Sequence, residues 1–445
     1  MVRKNFKATV IGMLSCSISL SQPFFPLGSG VNHPVLSLYA DTTTNYLFAG
    51  GELTQANGIN CKYIASWNGT AWDSTNNQLL SQVRSIEKFN NEIYIGGLIG
   101  WYDTIGNIIA PFVAKWDSSV NEWVNFGANA NTITRKLLAY NNQLYVLGDF
   151  DTIGGIYANL VSRYDGTNWY AYPPLDTNWG FILDGIFYNG DLYVGGNFDS
   201  QVASNMEDIA KWDGTQWLPV SNGLSGFNTN ARAFAVYQGK LIVAGYFNTA
   251  WGDPGNNIAA WDGTSWSQLG NGTDGEIRSL IVFNNELWAG GGFTSAGGIS
   301  ASCIAKWNGI QWANVGINLG NVVTSFAVLG NDLYIGGGFV TILNGDTAKF
   351  IMRYNYLTGF HSLEPEENEI KVYPNPAHDI ITITFPPGFT AAQLILYDAM
   401  GRVSIKMQDI SIKTEINIKH LPQGIYFYEV RNSKGEAVYG KIVKQ

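Results

Sequence analysis

Short runs of alternating apolar and polar residues, separated by turn residues, recur along the first four-fifths of the chain. One such unit, at 277–316, reads IRSLIVF, a short turn, ELWAGGGF, a longer loop, CIAKW, the dipeptide Asn-Gly and QWANVG. Runs of this length, bounded by glycine and asparagine, predict β-strands. The unit therefore predicts four antiparallel strands, which are called a to d in chain order.

The four-strand unit occurs seven times. Strand c of each copy ends near an aromatic residue, and successive aromatic residues are 46 to 49 positions apart. They are Trp67, Trp116, Tyr164, Trp212, Trp261, Trp307 and Tyr354. A strand-rich period in the forties is typical of propeller blades. The sequence thus predicts an all-β fold, with a seven-bladed β-propeller over residues 22–363.

The link between strands c and d is the most regular part of the repeat, as in Trp212-Asp-Gly-Thr-Gln-Trp217. Asn-Gly and Asp-Gly suit two-residue type I′ hairpins because both central residues need positive φ. We therefore expect a structural role for this motif. Strand b usually ends in a glycine pair, as in LYIGG at 333–337. A glycine in a strand indicates close approach of another group, and we expect a bulky Trp or Tyr to pack over it.

The N-terminal segment predicts two further features. Residues 1–21 combine a basic start, a short apolar run and small residues before a cleavage site between Ser21 and Gln22, as in a secretory signal peptide. A lipoprotein signal at Cys16 is the alternative. Residues 26–30 (PLGSG) are similar to residues 268–272 (QLGNG), which end a strand d. We therefore expect the N-terminal strand to close the ring at blade seven, which would protect an edge strand.

After an acidic linker at 364–370, alternating runs predict a small Ig-like β-sandwich over residues 371–445. The motif positions of this segment are Tyr373, Pro374, Asn375, Pro376, Asp398, Gly401, Arg402 and Gly424. With these residues it resembles the type A C-terminal sorting domain of proteins exported by the type IX secretion system of Bacteroidetes. The propeller repeat, with its glycine pair and two spaced aromatic residues, resembles kelch-type repeats.

The sorting-domain resemblance implies a route and a partner. The chain is expected to reach the periplasm by Sec export and to cross the outer membrane through the type IX secretion machinery. Release or attachment at the outer cell surface follows. An ordinary Ig-like module is the alternative for this segment.

The charge composition of the chain argues against some classes of ligand. The formal net charge is −9 at pH 7, which argues against nucleic acid and anionic membranes as ligands. We expect no transmembrane segment in the mature chain, and a monomer. Cys61 and Cys303 fall in blades that are not neighbours, so we expect no disulfide, because that bond needs nearby Cα atoms.

Residues with catalytic or metal-binding chemistry are scarce. The four histidines are His33, His361, His378 and His420, so the sequence between 34 and 360 contains none. This removes the usual general base and the usual copper or zinc ligand from most of the propeller. We expect no catalytic residue, metal or cofactor, and the sequence favours binding over catalysis.

Two features fall outside the repeat. Trp101, Tyr102 and Trp251 lie in b–c loops, and Trp179 lies in a d–a connection. The up-and-down path of each blade sends these segments to one end of the propeller, here called the upper face. At the start of strand a, aligned positions carry Arg84, Arg135, Arg232 and Arg278, with Leu36, Asp184 and Thr324 in the other copies. We expect the arginines to ring the central channel near the upper face.

These features support a secreted or surface-displayed binding propeller for a glycan or a protein ligand. Aromatic faces stack on sugar rings, and arginines pair with carboxylate or sulfate groups. The structural alternatives are arginines that brace neighbouring blades and tryptophans that fold back onto their own blades. Two other functions remain open at this point: a carbohydrate-active hydrolase or lyase that uses loop carboxylates, and a structural or adhesive surface protein.

Overall fold

The computed structural model describes most of the chain from residue 23 onward. The described residues are 23–75, 78–102, 107–175, 180–199, 206–224, 226, 229–250, 253–343, 345–355, 371–385, 391–398, 402–408, 410–411, 413–432 and 437–445. The expected signal peptide, its cleavage site and the acidic linker lie outside them. The chain divides into two compact units, 1–359 and 360–445. Every regular element in the described residues is a β-strand, which confirms the all-β prediction.

The first unit contains seven four-stranded antiparallel sheets. Each of blades one to six takes its strands from one continuous segment. The innermost strands a are Val35–Asp41, Val83–Phe89, Thr134–Tyr140, Phe181–Tyr188, Asn230–Tyr237 and Ile277–Phe283. Strands b are Tyr46–Gly51, Glu92–Gly97, Gln143–Gly148, Asp191–Asp199, Lys240–Tyr246 and Glu286–Gly291. Strands c are Ile64–Trp67, Val113–Asp117, Val161–Tyr164, Glu207–Trp212, Ile258–Trp261 and Ile304–Trp307. Strands d are Trp72–Ser74, Glu122–Val124, Trp169–Ala171, Trp217–Pro219, Trp266–Gln268 and Trp312–Asn314.

Blade seven is assembled from both ends of the propeller segment. Its inner strands are Val323–Leu329, Asp332–Leu343 and Asp346–Asn355, and its outermost strand is Phe24–Pro26. Phe24 pairs with Tyr354 and Pro26 with Met352. The innermost strands contact one another in circular order, and that of blade seven contacts that of blade one. The seven sheets therefore form a closed ring, which confirms the predicted propeller.

Short two-stranded hairpins occupy five of the b–c loops. They are Gln55–Ala56 with Ile59–Asn60, Trp101–Tyr102 with Ile108–Ile109, Thr152–Ile153 with Ile156–Tyr157, Thr249–Ala250 with Asp253–Pro254, and Ser295–Ala296 with Ile299–Ser300. Those of blades one, three, five and six contact strand d of their own blade. These hairpins therefore lie over the outer part of the blades.

The turn chemistry differs from the prediction. The a–b hairpins are the two-residue turns with positive φ, as at Asn90 (49°) and Asn91 (68°) between the paired residues Phe89 and Glu92. The c–d link has four residues between Trp212 and Trp217, and Gly214 alone among them has positive φ, at 101°. The predicted type I′ turn in this link is wrong because an Asp or Asn side chain closes the turn instead.

The carboxylate of Asp213 shows how this turn is held. Its Oδ1 accepts hydrogen bonds from the backbone N–H groups of Thr215 (2.8 Å) and Gln216 (2.9 Å). Asn68 accepts equivalent bonds in blade one, from Thr70 and Ala71. The backbone hydrogen bonds lower the pKa of Asp213 to about 2, with Gln216 the largest contributor. Backbone bonds, led by that from Asn168, likewise lower the pKa of Asp165 to about 2.

These depressed pKa values predict an acid-dependent loss of stability. The stabilisation is complete above the unfolded-state pKa of about 4 and is lost as the pH falls through about 2. We expect the triple variant Asp165→Asn, Asp213→Asn, Asp262→Asn to keep the turns, as Asn68 does, and to lose less stability between pH 4 and pH 2. The thermal midpoint measured against pH checks this. Identical decreases in variant and parent would contradict it.

A β-bulge at the start of every strand a explains the second glycine of strand b. The extra residues in the bulges are Leu36, Arg84, Arg135, Leu183, Arg232, Arg278 and Thr324. A Cβ at Gly291 would lie 2.1 Å from the carbonyl oxygen of Glu276. An added Cβ at Gly51 or Gly337 would likewise collide with backbone atoms at the bulge of its own blade. The prediction that Trp or Tyr covers this glycine is wrong, because the bulged backbone occupies the space.

The first glycine of the pair lies at the contact between blades. A Cβ at Gly50 would lie 2.7 Å from Cγ1 of Val83 in the next blade. Blade three has Leu147 at this position, and blade four compensates with Gly185, whose added Cβ would lie 2.6 Å from Cδ1 of Leu147. At the contact between blades three and four, the large residue therefore lies on strand b and the glycine on strand a. This is the reverse of the contact between blades one and two.

The strand d tryptophans join neighbouring blades. Nε1 of Trp217 donates to the carbonyl oxygen of Pro173 (2.9 Å), and Nε1 of Trp312 donates to that of Leu269 (2.8 Å). The same bond runs from Trp72 in blade one to Leu27 (3.0 Å), which follows the N-terminal strand. The contact between blades one and seven therefore repeats the contact between other blades.

The second unit is a two-sheet β-sandwich. One sheet contains Lys371–Tyr373, Ile380–Thr384 and Lys413–Asn417, and the other contains Ala391–Asp398, Val403–Gln408, Gly424–Asn432 and Ala437–Lys444. Ile381, Leu394, Ile416 and Val430 are fully or almost fully buried in its core. This confirms the predicted sandwich.

Candidate functional site

A central cavity of about 350 Å³ is the principal site in the propeller. All seven innermost strands line it, and each contributes the extra residue of its bulge. A bulge re-aims a side chain that regular pairing would direct elsewhere. The repeated bulges therefore place Arg84, Arg135, Arg232 and Arg278 in one layer of the cavity wall. Strand order puts this layer at the end that carries the b–c loops and d–a connections.

Three of the four arginines have carboxylate partners. Arg135 pairs with Asp149 through Nε (2.5 Å) and Nη2 (2.8 Å), and its guanidinium lies 4.7 Å from the centre of the Phe181 ring. Glu276 bridges the other two, at 3.1 Å from Nη1 of Arg232 and 2.7 Å from Nε of Arg278. These arginines brace the upper end of the ring through their ion pairs.

Arg84 differs from the other three. Its Nε is buried and has no hydrogen-bond partner, and no ion pair of Arg84 is found within the described ranges. Burial lowers the pKa of Arg84, and the charge of Arg135 adds to this effect, whereas Asp149 opposes it. The guanidinium is thus a desolvated cation that lacks a direct counter-ion among the described residues.

A mixed cluster of charges lies further along the cavity wall. Nζ of Lys136 is 2.7 Å from Oδ1 of Asp184. Burial disfavours the charged form of Lys136, but Asp184 and Glu87 more than offset this, and its pKa is raised. Burial raises the pKa of Glu87, against the backbone bond from Lys88 and the charge of Lys136. Sequence reasoning missed Lys136 and Glu87, although their offsets from the bulge would have placed them on the wall.

The sequence alignment of the blades placed Asp184 at the arginine position, and this placement is wrong. The extra residue of blade four is Leu183, and Asp184 falls one position later, with Ser85 and Ser325. Three side chains at this later position accept a hydrogen bond from a backbone N–H of the next innermost strand. The bonds run from Leu137 to Ser85 (2.9 Å), from Phe234 to Asp184 (3.2 Å) and from Leu38 to Ser325 (2.8 Å). The alignment was wrong by one residue, because Leu183, like Arg84, stands 13 positions before the second glycine of strand b, whereas Asp184 stands 12 positions before it.

The aromatic residues proposed for ligand stacking have different environments. Trp101 is only 8% exposed and packs in a core cluster with Ile99, Trp123 and Leu79. Tyr102, the next residue, is 59% exposed, and Tyr157 in the following blade is 58% exposed. Trp179 and Trp251 lie outside the described residues. Tyr102 is therefore the proposed stacking residue whose ring is described and accessible. Tyr157, in the corresponding loop of blade three, is a second exposed ring.

The proposed sorting-motif residues hold the second unit together. Asn375 clamps the last strand, since its Nδ2 donates to the carbonyl oxygen of Lys441 (2.8 Å) and its Oδ1 accepts from the N–H of Val443 (2.9 Å). Asp398 closes a turn by accepting bonds from the backbone N–H and Nε of Arg402 (2.9 and 2.7 Å). Gly424 begins a strand with φ of 153°, and Tyr373 is exposed. Gly401 lies outside the described residues.

Three further properties concern possible metal ligands, the cysteines and membrane-spanning helices. Over the described part of the chain, His, Cys, Asp and Glu side chains form no group of three or more that could hold a metal ion. Cys61 and Cys303 are free. In the part of the chain that the structure describes, there is no helix long and apolar enough to cross a membrane.

Comparisons with known proteins bear mainly on the second unit. A family model of the secretion system C-terminal sorting domain matches residues 371–445. No curated protein sequence matches the chain. Among solved structures, the chain is similar to PorZ, an essential surface component of the type-IX secretion system of Porphyromonas gingivalis, at 14% identity and a TM-score of 0.46. That match covers 94% of this chain and 60% of PorZ.

Two further likenesses involve an extracellular domain and a designed protein. The extracellular domain of the putative one component system BT4673 from B. thetaiotaomicron matches at 14% identity and a TM-score of 0.46, over 95% of this chain and 58% of that one. The designed Ika8 protein matches at 14% identity and a TM-score of 0.44, over 74% and 99%. The chain spans about 60% of the length of the two natural proteins.

The match at residues 371–445 agrees with the motif residues and with the sandwich that they stabilise. These residues are a type IX secretion system C-terminal sorting domain, and the chain is a protein that is exported and then secreted or attached at the cell surface.

Proposed function

We propose that the propeller of this exported protein is a binding module and that it holds a glycan or protein ligand at the upper end of its central cavity. The observation that carries the proposal is Arg84, the member of the arginine layer for which no ion pair is found among the described residues, in a protein with a net charge of −9. A local positive focus on an acidic protein attracts an anionic group. Loops on a rigid scaffold commonly carry binding sites.

The upper face offers accessible surface around this cavity. The b–c hairpins of blades one, three, five and six lie over outer strands, so they do not need to move for a ligand to reach the cavity. Tyr102 and Tyr157 add exposed rings on neighbouring blades. Such rings supply contact area with little loss of side-chain entropy.

The contacts favour binding over the alternative of carbohydrate hydrolysis. A hydrolase needs two carboxylates across a cleft, one with a raised pKa. Glu87 has a raised pKa, but Lys136 attracts both Glu87 and Asp184, and the latter is held in an ion pair. Asp149 and Glu276 are likewise held by arginines.

Filling the cavity tests the proposal. The purified protein is screened on a glycan array and against cell-surface proteins, together with Leu183→Trp, which enlarges the side chain that the bulge of blade four contributes to the cavity. We expect the parent to retain a ligand that Leu183→Trp loses. Leu218→Trp, on the outer strand of the same blade, is the matched control and keeps it.

Loss of the two exposed rings is expected to weaken the same ligand less. Tyr102→Ala with Tyr157→Ala is compared with Tyr170→Ala, which alters a tyrosine of the outermost strand of blade three. Equal binding by the parent and Leu183→Trp would mean that the site lies elsewhere. A parent that binds nothing in either screen would refute the binding function.

A further inference from the structure

We propose that the central cavity binds a carboxylate, held by the guanidinium of Arg84. This inference rests on the proposed function and names the chemistry of its ligand. Arg84 is the extra residue of the bulge in blade two, and it lines the cavity.

Arg84 has the free capacity that such a ligand requires. The carboxylates near the arginine layer are committed to Arg135, Arg232 and Arg278. Arg84 has no ion pair within the described ranges, and its Nε is buried without a partner. A guanidinium that is partly withdrawn from water and has no counter-ion is costly, and a bound anion would remove that cost.

The unpartnered hydroxyl of Ser37 does not belong to this site. Ser37 occupies the position that follows the bulge, where Ser85 and Ser325 accept N–H groups of the next blade. Its Oγ has no hydrogen-bond partner among the described residues, but it is buried beside Gly50, 2.8 Å from where a Cβ on that glycine would lie. The hydroxyl therefore faces the contact between blades one and two.

The surrounding charges favour a planar monoanion. A guanidinium offers two parallel N–H donors whose spacing matches a carboxylate. Glu87 and Asp184 lie in the same wall, and Glu52 and Asp149 act on the charge of Arg84. These carboxylates would repel the second charge of a phosphate. The cavity, at about 350 Å³, has room for a small molecule or for the terminal residue of a larger one.

Calorimetric titration of the purified full-length protein tests the inference with four probes: D-glucuronate, acetate, D-glucose and inorganic phosphate. We expect D-glucuronate to bind and D-glucose, which has the same ring without the carboxylate, to fail. Binding of acetate as well would identify the bare carboxylate as sufficient, whereas failure of acetate would show that the sugar contributes. Both results support the site.

Variants then locate the carboxylate. We expect Arg84→Met to weaken D-glucuronate roughly 10- to 100-fold, as for loss of a hydrogen-bonded charge. Ser37→Ala, which alters the contact between blades one and two, should leave binding unchanged. Arg163→Met removes a cation from strand c of blade three and should leave binding unchanged. No binding of D-glucuronate or acetate by the parent, tighter binding of phosphate, or full binding by Arg84→Met would each overturn the proposal.

A stability measurement separates ligand binding from bracing. Without ligand, we expect Arg84→Met to unfold at the same temperature as the parent or higher, because an unpaired buried charge is removed. Arg135→Met, which leaves Asp149 unpaired, should unfold at a lower temperature. A comparable decrease in both would show that Arg84 is a brace. If the carboxylate probes fail while a screened ligand remains sensitive to Leu183→Trp, this inference fails and the proposed function stands.

Discussion

Replacing Gly291 by alanine is expected to destabilise the propeller by more than about 3 kcal/mol, or to prevent folding, because overpacking against backbone cannot relax easily. The added Cβ would lie 2.1 Å from the carbonyl oxygen of Glu276 and 2.8 Å from Cα of Ile277, both in the bulge. Backbone atoms within a paired strand cannot shift without breaking the ladder. Urea denaturation followed by tryptophan fluorescence measures the loss, since all fifteen tryptophans precede the sorting domain.

The neighbouring glycine provides a matched control. Gly292 has no atom within 4 Å of an added Cβ, and its φ is outside the left-handed region. Gly292→Ala should leave stability unchanged or raise it by about 0.4–1 kcal/mol through the unfolded chain. Similar losses in both variants would mean that the bulge does not determine the glycine at position 291.

The second large effect concerns closure of the ring. Phe24→Ala is expected to cost about 3–5 kcal/mol, the usual range for a buried phenylalanine. The Phe24 side chain is fully buried, and its ring lies 5.0 Å from that of Tyr354, centre to centre. It packs with Trp288 and Met352 in the core cluster that joins blades six and seven. The same urea titration measures the change.

Phe25 is the control for this prediction, because it belongs to the same three-residue strand. Its ring is partly exposed and lies 5.3 Å from the guanidinium of Arg353. We expect Phe25→Ala to cost less than about 1 kcal/mol, as partly exposed cation–aromatic contacts are weak. If Phe25→Ala were as damaging as Phe24→Ala, backbone pairing rather than the buried ring would be the main contribution of this strand.

The number of blades could be predicted from the sequence because the aromatic residues at the ends of strand c recur at a nearly constant interval. The turn type at Asp213-Gly214 could not, since the dipeptide suits two turns and the side-chain bonds of Asp213 decide between them. The register of blade four was also missed. The signal lay in the offset of 13 positions to the second glycine of strand b, which Leu183 shares with Arg84 and Asp184 does not.

The candidate site was predictable in outline. The four arginines stand at one repeated position and do line the cavity together. Whether each arginine forms an ion pair depends on carboxylates such as Asp149 and Glu276, which do not recur at a fixed position of the repeat. Trp101 illustrates the same limit, since a loop tryptophan looks accessible in sequence until Trp123 and Ile99 are found around it. Burial of loop residues is a property of tertiary packing.

The pairing of Phe24 with Tyr354 joins residues 330 positions apart, and this has a consequence for the timing of folding. Phe24 is synthesised early and Tyr354 late, so the propeller cannot be complete before nearly the whole propeller segment has been made. Contacts of such long sequence separation form slowly. Assembly of blade seven is therefore a late step, and it awaits the residues that lie just ahead of the sorting domain.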